Sequence, residues 1–143
     1  MVRRLLVAVG LVLALAVTFV TSIILASETG AEVVTVETVQ PDGGIRRTRL
    51  WVVDDGDFAW LRAGMGRVPW LDQAAEAGTL VLTRGRQSEV YKVTVFDDPV
   101  SRRRIHAMMR EKYGARDRYI DLIRDGDRSV AVRLELTHTV ADQ

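Results

Sequence analysis

Residues Glu32 to Asp54 read EVVTVETVQPDGGIRRTRLWVVD, and the reading of that stretch decides the fold. Glu32 to Val39 alternates Val33, Thr35, Glu37 and Val39 against Val34, Val36 and Thr38, a β-branched composition suited to a pleated, half-buried strand. Pro41-Asp42-Gly43-Gly44 then supplies a turn: proline presets φ, and glycine accepts the positive φ that follows. A second strand over Ile45 to Asp54, carrying Leu50-Trp51-Val52-Val53, is therefore expected to fold back on the first as a hairpin.

Downstream the pattern continues. Asp54-Asp55-Gly56-Asp57 signals another turn, and Phe58 to Ala63 reads as a third strand. Gly64-Met65-Gly66-Arg67-Val68-Pro69 interrupts, and Trp70 to Ala77 has helical composition with Gly78 placed as its cap. Thr79 to Arg84 and Gln87 to Phe96 form a second hairpin around Gly85. Asp97-Asp98-Pro99 opens a helix from Ser101 to about Tyr113, with carboxylates near its positive end, an apolar stripe of Ile105, Met108 and Met109, and Gly114 as its stop. Arg116 to Arg124 is a short helical or irregular stretch, and Ser129 to Thr137 alternates Val130, Val132, Leu134 and Leu136 as a sixth strand. The order predicts a mainly β fold with two helices: six antiparallel strands in a small barrel over residues 32–137, followed by a tail at 138–143.

Upstream of the hairpin, Leu5 to Ala26 carries no charge and no proline, and 14 of its residues are Leu, Val, Ile or Phe. As a helix it spans ~33 Å, enough for a bilayer core of about 30 Å. The competing reading is a cleaved signal peptide, but a cut after Ala26 would leave bulky Ile24 at the third position before it. A retained transmembrane signal anchor at 5–26 is the expectation. Arg3 and Arg4 precede the run while Glu28 and Glu32 follow it, which keeps residues 1–4 in the cytoplasm and exports the domain on a short linker, 27–31. The predicted protein is a single-pass membrane protein with an extracytoplasmic domain.

Composition narrows the partners. Of 20 Lys and Arg, two precede the anchor, leaving 18 against 19 Asp and Glu, a net charge of −1. A nearly neutral domain gives no reason to expect nucleic acid. There is no cysteine, so neither a disulfide nor a lipoprotein anchor is available. His106 and His138 have no metal-ligand neighbours at suitable spacing, and Asp54, Asp55 and Asp57 lack the later ligands of a calcium loop, so no metal is expected. No nucleophile elbow or phosphate loop appears. Arg102-Arg103-Arg104 reads as a solvated helix face, the other reading being contact with anionic lipid heads.

The run Asp42-Gly43-Gly44-Ile45-Arg46-Arg47-Thr48-Arg49-Leu50-Trp51, then Asp57, Gly66 with Trp70, and Lys112-Tyr113-Gly114, resembles the split β-barrel proteins related to deazaflavin-dependent nitroreductases. These belong to the wider FMN-binding, pyridoxamine-phosphate-oxidase-like fold. The similarity covers about Glu32 to Leu136 and implies a split barrel, FMN or a deazaflavin as cofactor, and a homodimer whose subunits share the site. The family's stretch T-x-G-R-x-S-G-x-x-R binds cofactor phosphate through its Arg and Ser; here Gly43-Gly44-Ile45-Arg46 keeps G-x-x-R. Val39, Gln40, Pro41 and Asp42 replace the rest, and an aspartate at the serine position repels phosphate. Trp70-Leu71-Asp72-Gln73 stands where the family commonly has W-x-x-N.

The candidate cofactor-binding residues are Arg46, Thr48, Gly66 and Trp70. On an extended strand Arg46 and Thr48 share one face and Arg47 and Arg49 the other, so the first pair offers a guanidinium fork with a hydroxyl. Gly64 and Gly66 let backbone amides approach a ligand. Trp70 is expected to face a pocket, while Trp51 and Trp60, on adjacent strands, read as packing partners. No catalytic residue is assigned, since a flavin-type group carries its own hydride chemistry. Two functions stay open: a flavin- or deazaflavin-binding oxidoreductase-like domain, and a non-enzymatic extracytoplasmic binding or assembly module that kept the barrel and lost the cofactor.

Overall fold

A computed structural model describes Met1, Val7 and residues 9–18, 32–123 and 126–137. The chain divides into two compact units, Met1–Ala31 and Glu32–Gln143. In the first, residues 9–18 form helix α1, with Leu11, Val12, Leu13, Leu15 and Val17 all exposed. Among the described residues no helix is long and apolar enough to cross a membrane, and the rest of the expected anchor at 5–26, Val7 apart, lies outside them, as does the tail at 138–143.

The second unit is a closed barrel of six antiparallel strands in the order β1-β2-β3-β6-β5-β4. The strands are β1 (Val33–Val39), β2 (Ile45–Asp55), β3 (Phe58–Ala63), β4 (Thr79–Arg84), β5 (Gln87–Phe96) and β6 (Val130–Leu136). Closure comes from β1 pairing with β2 on one side and β4 on the other, so no whole strand is left as an edge. Period-two alternation sends Val34 and Val36 of β1, Val52 of β2, Ala59 and Leu61 of β3, and Val132 and Leu134 of β6 into one core. Helix α2 (Pro69–Ala77) plugs the end where β1 stops, adding Trp70, Leu71 and Ala74 to that core, and Thr38 donates to Gln73 Oε1 at 2.8 Å. Gly78 ends α2 at φ +71°, the left-handed cap that its sequence position predicts.

At the opposite mouth charged side chains meet. Arg84 reaches Glu32 Oε1 at 2.8 Å and Asp54 Oδ1 at 3.0 Å, and Lys112 donates to Glu32 Oε2 at 2.6 Å.

Helix α3 (Pro99–Tyr113) lies on the outside of the barrel, capped by Asp98, whose carboxylate accepts from the amides of Val100 and Ser101. It buries Ile105, Met109 and Tyr113, one face at a spacing of four; Met108, expected in that stripe, is only half-buried. Helix α4 (Ala115–Ile123) follows, and a 3₁₀ turn (Gly126–Arg128) leads into β6. Among the described residues of this unit, α2, α3, α4 and the short turn accompany the barrel, where the sequence led one to expect two helices.

Between barrel and helices lies a buried polar network. Arg62 of β3 is 7% exposed and pairs with Asp117 of α4, which is 0% exposed. Arg62 Nη1 also lies 2.9 Å from His106 Nδ1, and His106 Nε2 lies 3.0 Å from the carbonyl oxygen of Gly126. A carbonyl can only accept, so Nε2 carries the proton and Nδ1 accepts from the guanidinium.

Candidate functional site

Strand β2 changes neighbours halfway along. From Ile45 to Trp51 it is paired with β1, but only Val52 to Asp55 are paired with β3. Below the Val52–Leu61 pair the two strands part, and the rest of β3, Arg62 and Ala63, is held by β6 alone. This seam opens because β2 runs on for seven residues past the start of its β3 ladder while β3 has only two left.

Side chains from three layers line the seam. A cavity of about 310 Å³ is bounded by Val33 of β1, Arg49, Leu50 and Trp51 of β2, Arg62 of β3, Met109 of α3 and Ile120 of α4. A second, of about 450 Å³ and almost wholly apolar, is bounded by Trp51, Ala115, Arg116 and Ile120. Trp51 and Ile120 belong to both, so the two form one groove along the barrel's outer face. The indole is half-buried and stacks on Tyr113, centroids 4.6 Å apart, which fixes its plane.

Charge around the groove is uneven. Arg62 is committed to Asp117 and His106. By contrast, Arg49 at the mouth and Arg116 at the far end make no ion pair with any described residue, whereas Arg47 binds Glu37, Arg67 binds Asp72 and Arg104 binds Asp55. Burial raises the Tyr113 phenol above its ordinary range, opposed by Lys112, and it donates to the Val52 carbonyl.

None of the four candidate residues Arg46, Thr48, Gly66 and Trp70 lines the seam groove. Arg46 and Thr48 share the inward face of β2, both half-buried, as alternation requires. Arg46 Nη2 donates to Gln40 Oε1 at 3.1 Å, while its Nε is buried without a partner. Beside it, Asp42 Oδ1 accepts from the Gly44 amide at 2.9 Å, so the turn that would cradle a phosphate is filled by Gln40 and by a carboxylate. Gly66, at φ +77°, faces the Arg128 carbonyl, where a Cβ would sit 3.5 Å away. Trp70 is 5% exposed within the barrel core. Its expected pocket-facing role is corrected: leading α2, it is drawn inward because the barrel end needs a large apolar plug. Trp51 faces the groove instead. Nor do Trp51 and Trp60 pack together; Trp60 meets Phe96 at 5.7 Å with Arg104 over its ring. Arg102 and Arg104 are likewise tied down, to Asp97 with the Ser129 carbonyl and to Asp55 respectively.

Alternation placed Arg49 on the face away from the candidate pair Arg46 and Thr48, so the sequence did not single it out. The available signal was its position two residues before Trp51, on the same strand face. Met109, Ile120 and Arg116 reach the groove only through the docking of α3 and α4, which no local pattern announces.

No protein-family model and no curated protein matches the chain. Solved structures do. A conserved hypothetical protein from Mycobacterium tuberculosis superposes with a TM-score of 0.61 at 15% identity, over 82% of this chain and 80% of that one. A pyridoxamine 5′-phosphate oxidase candidate from Listeria innocua gives 0.56 at 14% identity, over 82% and 93%. An F420 reductase gives 0.51 at 14% identity, over 75% and 87%. At such identities the likeness is one of fold, and the neighbours share the architecture that the hairpin at residues 32–54 suggested: this chain has the split β-barrel fold.

Proposed function

We propose that this protein is a membrane-anchored split-barrel domain that binds a flavin or deazaflavin in the β2–β3 seam and belongs functionally with oxidoreductase-like barrels. The observation that carries the reading is the seam groove itself, walled by apolar side chains and arginines and bounded by an indole in a fixed plane, of the size range that small-molecule sites occupy. The fold neighbours include proteins described as an F420 reductase and a pyridoxamine 5′-phosphate oxidase candidate, which supports a ligand of this chemical class. The residues fit the ring of such a group: Met109 and Ile120 offer apolar contact, and Trp51 orients a planar system edge-on or by its free face. When bound, the ring would supply hydride transfer, and the chain's part is to hold and desolvate it. The phosphate motif at Gly43 to Arg46 does not fit, for Asp42 and Gln40 occupy it.

That misfit favours a second reading, a non-enzymatic extracytoplasmic binding or assembly module. Adding FMN or F420 to the purified protein separates them. A rise in melting temperature with quenching of ligand fluorescence supports the first reading; no response at saturating concentration leaves the second.

The address belongs to the same proposal. Residues 5–26 anchor the chain, with Arg3 and Arg4 inside and the barrel outside, consistent with a helix α1 that is apolar on every face. A tag after Gln143 that is degraded when protease is added to intact spheroplasts supports this topology, and a protected tag refutes it.

A further inference from the structure

We infer that the anionic group of the seam ligand is held by Arg49 and Arg116, one at each end of the groove, and not by the Arg46 motif; this rests on the seam as the ligand site. The argument starts from which cations are already spent. Arg62 lines the groove, but its charge is matched by Asp117 within a dry layer, so it contributes shape and no net attraction. Arg46 is satisfied in part by Gln40 and stands beside the Asp42 turn. Arg49 and Arg116 remain: each lines a groove wall, and neither is neutralised by a described acid.

Charge complementarity then names the ligand class. An apolar slot flanked by two unmatched guanidinium groups suits a planar apolar body bearing a phosphate or carboxylate, and disfavours a neutral ring alone. A guanidinium fork binds phosphate by two parallel N–H donors, a geometry that Arg49 can offer from the exposed face of β2 while Trp51, two residues on, meets the ring. The phosphate contact has thus moved to the other face of β2: from the inward residues Arg46 and Thr48 to the outward pair Arg49 and Trp51, with α4 adding Arg116.

The test compares ligands with and without their anionic tail, on full-length protein in detergent micelles. FMN is titrated against riboflavin, and F420 against its phosphate-free chromophore, following ligand fluorescence and melting temperature. The phosphorylated member of at least one pair should bind about tenfold or more tightly, as expected for a lost charge-assisted contact. Arg49→Gln with Arg116→Gln should erase that advantage while leaving riboflavin affinity unchanged, and Arg46→Gln should leave it intact. Equal binding of both members, or loss of the advantage in Arg46→Gln instead, overturns this assignment and leaves the seam reading standing. Binding of neither pair overturns the seam reading, and the assignment falls with it. An unchanged melting temperature without ligand confirms that the variants fold.

Discussion

Replacing Asp117 by alanine should unfold this domain more readily than its modest size change suggests. The carboxylate is 0% exposed and faces an Arg62 side chain that is 7% exposed. Removing it takes away the buried carboxylate that faces this guanidinium in the layer between β3 and α4, beside the His106 imidazole. Breaking a buried pair from one side costs about 3–5 kcal/mol. A domain of about a hundred residues has ~5–15 kcal/mol in all and loses roughly 4–8 °C of melting temperature per kcal/mol, so a fall of at least ~12 °C is expected. The double variant Arg62→Met with Asp117→Leu removes both charges and keeps volume. Its cost includes the donor that His106 Nδ1 loses, about 1 kcal/mol. Urea unfolding followed by tryptophan fluorescence on the micelle-bound protein reads both. If Asp117→Ala costs under about 1 kcal/mol, or the double variant is as unstable as the single, the pair is not desolvated as described and the reasoning fails.

Other outcomes follow from single features. Leu61→Ala, at 0% exposure in the barrel core, should cost about 2–5 kcal/mol in the same urea experiment. Gly78→Ala meets no atom within 4 Å, so its cost should be the backbone term alone, about 1–2 kcal/mol for a left-handed φ of +71°. Tyr113→Phe should cost only about 1 kcal/mol, because Lys112 Nζ still donates to the Val52 carbonyl at 2.9 Å. Asp98 is held below the usual carboxylate range by its hydrogen bonds from Ser101 and then Val100, so its capping contribution is present above the ordinary carboxylate pKa and is lost as pH falls through the depressed one. The melting-temperature gap between wild type and Asp98→Ala should therefore close in acid, and a gap independent of pH between 2 and 7, on the order of the carboxylate range, would count against the cap.

Much of the barrel is legible residue by residue. Alternation in Val33 to Val39 and in Val130 to Leu136 names which side chains turn inward, because a strand's side-chain period of two is a local property. Pro99 after Asp98, and Gly78 and Gly114 after their helices, mark helix ends through φ preferences that each residue carries with it. The site was legible only in part. Arg46 with Thr48, and Arg47 with Arg49, fall on opposite faces of β2 as alternation predicts, yet nothing local says which face meets a ligand.

What the amino-acid order determined by itself is therefore the set of strands and caps, and the resemblance that it carries to split barrels. Only the tertiary structure decided that Trp70 plugs the barrel end, that Asp117 finds Arg62 55 residues away, and that a groove opens beside Trp51. The reason is physical. β2 alternates exposed and half-buried residues from Ile45 to Leu50 and then buries both Val52 and Val53, but which strand pairs with it at that point is a property of β3 and not of its own residues. The seam exists in the relation between two strand lengths and two docked helices, and that relation is set by packing across the whole fold.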